Sequence, residues 1–179
     1  NMIGGLDVPS EGQVIVDGMN LEKMNREALA LYRRRKVGFI FQQYNLIPDL
    51  NVYDNILFPL ELDGRQVDKK FIRELMAVLN ISNKKEMLPS MLSGGEQQRV
   101  AIARALGAKP SIILADEPTG NLDTMASHDV IGLLKILAKQ YQQTIILITH
   151  DGDIAQMADR IVRIEDGKIR KGSEPYAGK

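Results

Sequence analysis

Chemistry enters this sequence at residues 92–123, LSGGEQQRVAIARALGAKPSIILADEPTGNLD. Ile112, Ile113, Leu114 and Ala115 form a short apolar run of the kind buried on both faces of a parallel sheet, and Asp116 and Glu117 follow at its C-terminal end. Open α/β sheets bind ligands at that edge. Successive strand residues point to opposite sides, so the two carboxylates cannot easily do the same job: one can hold Mg²⁺ and the other can orient a water. The plainer reading is a pair of solvated acids before a turn at Pro118, and the pair taken alone does not decide between the two.

Upstream, residues 93–96 (SGGE) also have a plain reading, because Ser followed three residues later by Glu is a capping box for a helix carrying Val100, Ala103 and Leu106. A capping box has no need of two consecutive glycines. A backbone that must come close to a phosphate does, and a helix N-terminus offers it free N–H groups and a partial positive charge. The cap and the phosphate site can be one structure.

The scaffold for these groups is legible from composition and periodicity. The chain has 179 residues, 44% of them hydrophobic, enough for one domain with a sizeable core. Lys plus Arg and Asp plus Glu are equal at 23 each, so no overall charge draws the chain to nucleic acid or to an anionic membrane. The lack of cysteine excludes disulfides and cysteine-ligated metals. No apolar run approaches the ~20 residues that span a bilayer.

In chain order, residues 1–6 begin on apolar residues without a cap, as though entering mid-helix. Residues 13–17 read as a strand between the Gly12 and Gly18 turns, residues 26–35 as a helix with a solvated basic end, and Val37–Phe41 as a second strand with Gln42 at its end. From Tyr44 to Met91 the period turns helical: Ile72, Leu75, Met76 and Leu79 share a face, and Asn51 with Asp54 can cap residues 52–62. Pro48, Leu50, Val52 and Tyr53 are apolar residues that suit either a core or a groove for another protein's helix. Helical spacing resumes from Ser127 through Val130, Leu133, Leu134, Leu137 and Tyr141, and residues 144–149 (TIILIT) return as a buried strand ending at His150. Residues 160–170 read as a hairpin turning at Asp166 and Gly167, with a loosely ordered tail to Lys179. Alternation of this kind predicts a parallel sheet.

The run LSGGEQQR, then ILADEP, then GNLD resembles the signature, Walker B and D-loop segments of ATP-binding-cassette (ABC) ATPases. That resemblance implies an α/β P-loop NTPase with a RecA-like, mostly parallel sheet (residues 1–43 and 108–179) and an inserted α-helical subdomain (residues 44–107). It implies ATP and Mg²⁺ as cofactors, with Asp116 and Gln42 serving the metal, Glu117 polarising the attacking water and His150 holding the γ-phosphate. Ser93, Gly94 and Gly95 contact the ATP of a second subunit in a head-to-tail homodimer, and Asp123 couples the two sites. A transmembrane permease subunit is the implied partner, gripped near residues 42–53, with the cassette peripheral on the cytoplasmic face of a bacterial cell membrane and held there only by that partner.

No GxxxxGK[ST] occurs in these residues, so the Walker A loop is expected to lie upstream and residues 1–6 to be the tail of the helix that follows it. As given, the chain is expected to be inactive. FQQYNLIP, DEPTGNLD and ITHD with ADRIVRIEDGKI most resemble the branch that powers lipoprotein release and macrolide or antimicrobial-peptide efflux. A soluble, non-transport ABC ATPase and a catalytically inactive docking module are the alternatives.

Overall fold

A computed structural model describes residues 1–170, and the expected loose tail beyond them lies outside the described residues. Residues 1–6 are a turn. The Leu6 N–H bonds the Asn1 carbonyl at 3.0 Å and the Gly5 N–H bonds Met2 at 2.9 Å, with Gly5 at φ +64°. Two nested bonds around a left-handed glycine make a Schellman-type turn, so these residues form a turn where a helix was expected.

Residues 13–17 do not join the main sheet. Strands β1 (Ile15–Val16) and β2 (Met19–Asn20) form a small antiparallel ladder turned by Asp17 at φ 52° and Gly18 at φ 74°. Both turn residues are left-handed, which an Asp-Gly pair tolerates and which closes a tight hairpin. Helix α1 (Arg26–Lys36) follows, its Asn25 side chain accepting from the Ala28 N–H at 2.8 Å. The basic end of α1 is tied down: Arg33 donates to the Gly5 carbonyl at 2.7 Å, Arg34 and Arg35 share Asp63, and Lys36 pairs with Asp17.

The main sheet is parallel, with β4 (Ile112–Asp116) between β3 (Val37–Phe41) and β5 (Thr144–Ile148). Their apolar, β-branched runs alternate faces with period two. On one face Val37, Ile112, Phe39, Leu114 and Ile146 pack with Leu21, Tyr32 and the hairpin. On the other, Ile40, Ile113, Ala115, Ile145 and Leu147 pack against a helical layer. Gly38 lets that layer come close, since a Cβ there would stand 3.0 Å from the Ala105 carbonyl oxygen.

That layer comprises α2 (Val52–Leu62), α3 (Lys69–Val78), α4 (Gly94–Gly107) and α5 (Thr124–Gln140), all drawn into one apolar cluster. Val100, Ile102 and Leu106 of α4 are almost wholly buried, and each such side chain contributes about 1.5–3 kcal/mol by leaving water. The short α6 (Gly152–Gln156) then leads to β6 (Ile164–Glu165) and β7 (Lys168–Ile169), the expected hairpin with a shorter ladder. No helix among the described residues is long and apolar enough to cross a membrane.

Candidate active site

Register decides which groups meet. Phe41, Asp116 and Ile148 stand side by side across β3, β4 and β5, so Gln42, Glu117 and the Thr149-His150 segment leave the sheet at one edge. Glu117 turns there with φ +43°, its N–H bonded to the Ile148 carbonyl and its own carbonyl accepting from Gly120, both at 3.0 Å. A left-handed glutamate is uncommon and costs roughly 1–2 kcal/mol, a strain that the two flanking hydrogen bonds hold in place.

The turn aims the Glu117 carboxylate at His150. One oxygen accepts the His150 backbone N–H at 3.0 Å and lies 2.8 Å from Nδ1, while the other has no hydrogen-bond partner among the described residues. The imidazole is raised above its ordinary pKa first by that hydrogen bond, then by the Glu117 charge, with a smaller push from Asp151. The ring is 85% exposed while the carboxylate is 23% exposed, so the glutamate is anchored and the histidine faces outward. One free carboxylate oxygen beside an exposed, easily protonated imidazole can orient a water against an anionic group.

Gln42 is held across the gap. Its amide donates to the Asn121 side-chain oxygen at 3.1 Å, and Asn121 donates back to the Gln42 carbonyl at 3.0 Å. Gly120 makes room, because a Cβ there would stand 2.6 Å from the Gln42 nitrogen. The Gln42 amide oxygen stays free, and Asp116 stands exposed one strand away without a side-chain hydrogen bond among the described residues. No three His, Asp or Glu residues converge on a metal among the described residues. A carboxylate and an amide oxygen at neighbouring strand ends nevertheless fit Mg²⁺, which takes few protein oxygens and completes its shell with phosphate and water.

The turn after Gln42 is pinned from behind. Tyr44 and Asn45 are left-handed, and their carbonyls accept from the Arg104 guanidinium of α4, at 2.8 Å for Tyr44. The Tyr44 hydroxyl lies 2.8 Å from the ideal Cβ position of Gly94, so a side chain there would make the Tyr44 ring shift. Two buried polar groups on α4 have no hydrogen-bond partner among the described residues: the Gln98 amide and the Arg99 Nε.

Ser93 caps α4 as the SGGE tetrad predicts: its hydroxyl accepts from the Glu96 N–H at 3.3 Å, and Glu96 accepts from the Ser93 N–H at 2.8 Å. Asp123 caps α5 through the Ala126 N–H at 2.8 Å. Leu122 lies against Gly94 and Ala126 against Gly95, so the 120–126 segment bridges the two loops. No hydrogen bond or ion pair among the described residues links the 93–95 turn to Asp116, Glu117 or His150.

The apolar stretch after Gln42 is mostly not an open groove. Val52 is fully buried with its N–H on the Met87 carbonyl, Leu46 packs on the core, and the Tyr53 ring carries the Lys85 ammonium 4.4 Å from its centre. Leu50 remains half-buried beside exposed Pro48 and Asp49. Sequence reasoning missed the organiser of this loop, Asn55. Fully buried, it accepts from the Ile47 N–H at 2.8 Å and donates to the carbonyls of Ile47, Leu50 and Asn51. The available signal was one amide inside the apolar VYDNILFPL run; for Arg104 it was one cation inside VAIARAL.

Comparison with known proteins bears on what such an edge does. Residues 1–120 match the family model described as ABC transporter. A putative ABC transporter ATP-binding protein of Mycoplasma pneumoniae, the MG467 homolog, is 43% identical over 94% of this chain and 50% of its own length. The macrolide export ATP-binding/permease protein MacB of Syntrophobacter fumaroxidans is 43% identical over 99% of this chain and 25% of its own length. The lipoprotein-releasing system ATP-binding protein LolD of Chromohalobacter salexigens is 40% identical over 94% and 72%. The chain thus spans from a quarter to under three-quarters of these relatives. Among solved structures, the dimeric structure of MJ0796, described as a bacterial ABC transporter cassette, superposes with a TM-score of 0.84 at 38% identity, covering 100% of this chain and 79% of that one. A second MJ0796 dimer, in a post-hydrolysis state bound to ADP and Pi, gives 0.82.

Proposed function

This chain belongs to the ABC transporter ATP-binding family, and on that premise we propose that it is the motor part of a transporter, binding and hydrolysing ATP between two head-to-tail copies. The observation that carries this reading is the Glu117 carboxylate fixed against His150 at the sheet edge with one oxygen free. Glu117 orients the attacking water and takes up its proton, and His150 holds the γ-phosphate that the water approaches. Asp116 and the Gln42 oxygen would hold Mg²⁺, whose charge would offset that of the phosphate oxygens. That no hydrogen bond or ion pair among the described residues joins the 93–95 turn to that edge is in keeping with a site closed by a second copy: Ser93, Gly94 and Gly95 of one subunit meet the ATP of the other, and Asp123 lies where the two copies touch.

The same proposal divides the chain into a RecA-like part (residues 1–43 and 108–179) and a helical part (residues 44–107). It places the protein at the cytoplasmic face of a bacterial membrane beside a permease. The exposed corner at Pro48, Asp49 and Leu50, held rigid by Asn55, is where a short partner helix would feel the Gln42 turn move. Leu46 belongs to the core, so Leu50→Asp alone is the sound probe of that contact. The branch of lipoprotein release and macrolide export fits the relatives' names.

Residues 1–179 alone should show no appreciable hydrolysis, because no Walker A backbone and lysine occur in them to cradle the phosphates. In the full-length protein Glu117→Gln should lower hydrolysis about 10²–10⁴-fold while ATP drives dimerisation. Light scattering with Mg-ATP is the test. A Glu117→Gln protein that stays monomeric at saturating ATP, or that hydrolyses at the parental rate, overturns the reading.

A further inference from the structure

The capping box at Ser93 carries a charge that its proposed task does not want. The Ser93 hydroxyl and N–H both donate to one Glu96 oxygen, at 3.0 and 2.8 Å. A carboxylate in the first turn suits the helix dipole. It also stands one hydrogen bond from the hydroxyl that a terminal phosphate must approach, where two anions repel. The anion-binding character of the α4 N-terminus is offset by the residue that caps it.

The second Glu96 oxygen is taken by Lys84 at 3.2 Å, both side chains being only about a quarter exposed (26% and 25%). Lys84 comes from outside α4, from the turn at Ser82–Lys84 that fully buried Ile81 anchors behind α3. Its neighbour Lys85 points elsewhere, over the Tyr53 ring and toward Glu86. The cap is complete without a lysine, since Ser93 and Glu96 satisfy each other. Holding Glu96 deprotonated needs no lysine either, as the Ser93 N–H is the first cause of its lowered pKa and Lys84 a lesser one.

We propose that Lys84 is a positioning residue for nucleotide-driven closure: resting on the head-to-tail reading above, it cancels the Glu96 charge so that the γ-phosphate of the facing subunit's ATP can reach Ser93, Gly94 and Gly95. The role is electrostatic, which makes it separable from structure by rescue. In the full-length protein carrying Glu117→Gln, Lys84→Gln should raise the ATP concentration for half-maximal dimerisation about two- to fivefold, the range of a partly exposed ion pair. Adding Glu96→Gln should restore it, because glutamine keeps an oxygen for the Ser93 N–H and removes the charge.

With Glu117 intact, Lys84→Gln should raise KM and leave kcat nearly unchanged, and the defect should shrink in high salt. A dimerisation curve unmoved by Lys84→Gln overturns the inference, as does a double variant no better than Lys84→Gln alone, which assigns the lysine to structure. If the Glu117→Gln parent never dimerises with ATP, the head-to-tail reading itself has failed and this inference falls with it.

Discussion

The two sides of the sheet edge are held in opposite ways. On the α4 side three elements near the edge are tied down by the fold: Gln42 by Asn121, the Tyr44 turn by Arg104, Ser93 by its own cap, all backed by fully buried Val100 and Ile102. On the β5 side little lies behind the site. Ile148 is 57% exposed, β5 is exposed or half-buried along its whole length whereas β3 is mostly buried, and among the described residues the His150 ring bonds Glu117 only. One half is preorganised and the other waits for a neighbour. A free edge of Thr-Ile-Ile-Leu-Ile is the kind of surface that pairing with a further strand would cover.

The sharpest way to break this contrast is to hollow out each side. Ile102→Ala should lower stability by about 2–5 kcal/mol, whereas Ile148→Ala should stay within about 0.5 kcal/mol. Urea unfolding of both variants checks it, and equal losses would mean that the β5 side is as well packed as α4.

A smaller effect probes the bridge between the sides. Asn121→Ala removes both hydrogen bonds that hold Gln42 and should cost about 1 kcal/mol, with amide exchange rising in the 42–45 turn. Unchanged protection there would show that Arg104 alone fixes the turn.

The smallest effect is a titration. His150 gains its proton more readily in the folded chain because Glu117 faces it, so its folded pKa lies above the unfolded one. Whatever stability this pair adds is fully present below the unfolded histidine pKa of about 6.5 and is lost as pH rises through the raised folded value. NMR titration should find the His150 midpoint above that of an unfolded peptide, and Glu117→Gln should bring it down.

How much of this was legible beforehand divides along the range of the interactions. Strands β3 and β4 follow from apolar runs, and α2 and α4 from Asn51 and the SGGE box, because those signals lie within a few residues of the structure they make. The edge grouping of Gln42, Asp116, Glu117 and His150 was readable too, since strand ends define it. Periodicity reports which face a residue occupies but not what it meets across space, so the partners of Asn55, Asn121, Arg104 and Lys84 stayed hidden, and Val52 stayed open between core and groove. At residues 13–17 a strand was readable, at Ile15–Val16, but not its pairing, because a two-residue ladder and a sheet strand share the same apolar beginning.

The left-handed backbone at Glu117 has a consequence for how this position evolves. Glycine adopts that conformation freely, so Glu117→Gly relieves roughly 1–2 kcal/mol of strain while discarding the carboxylate. It also gives up the two contacts the carboxylate makes with His150, at the backbone N–H and at Nδ1, so gain and loss are of similar size and the position can change at little net cost to folding; what such a change surrenders is the acid.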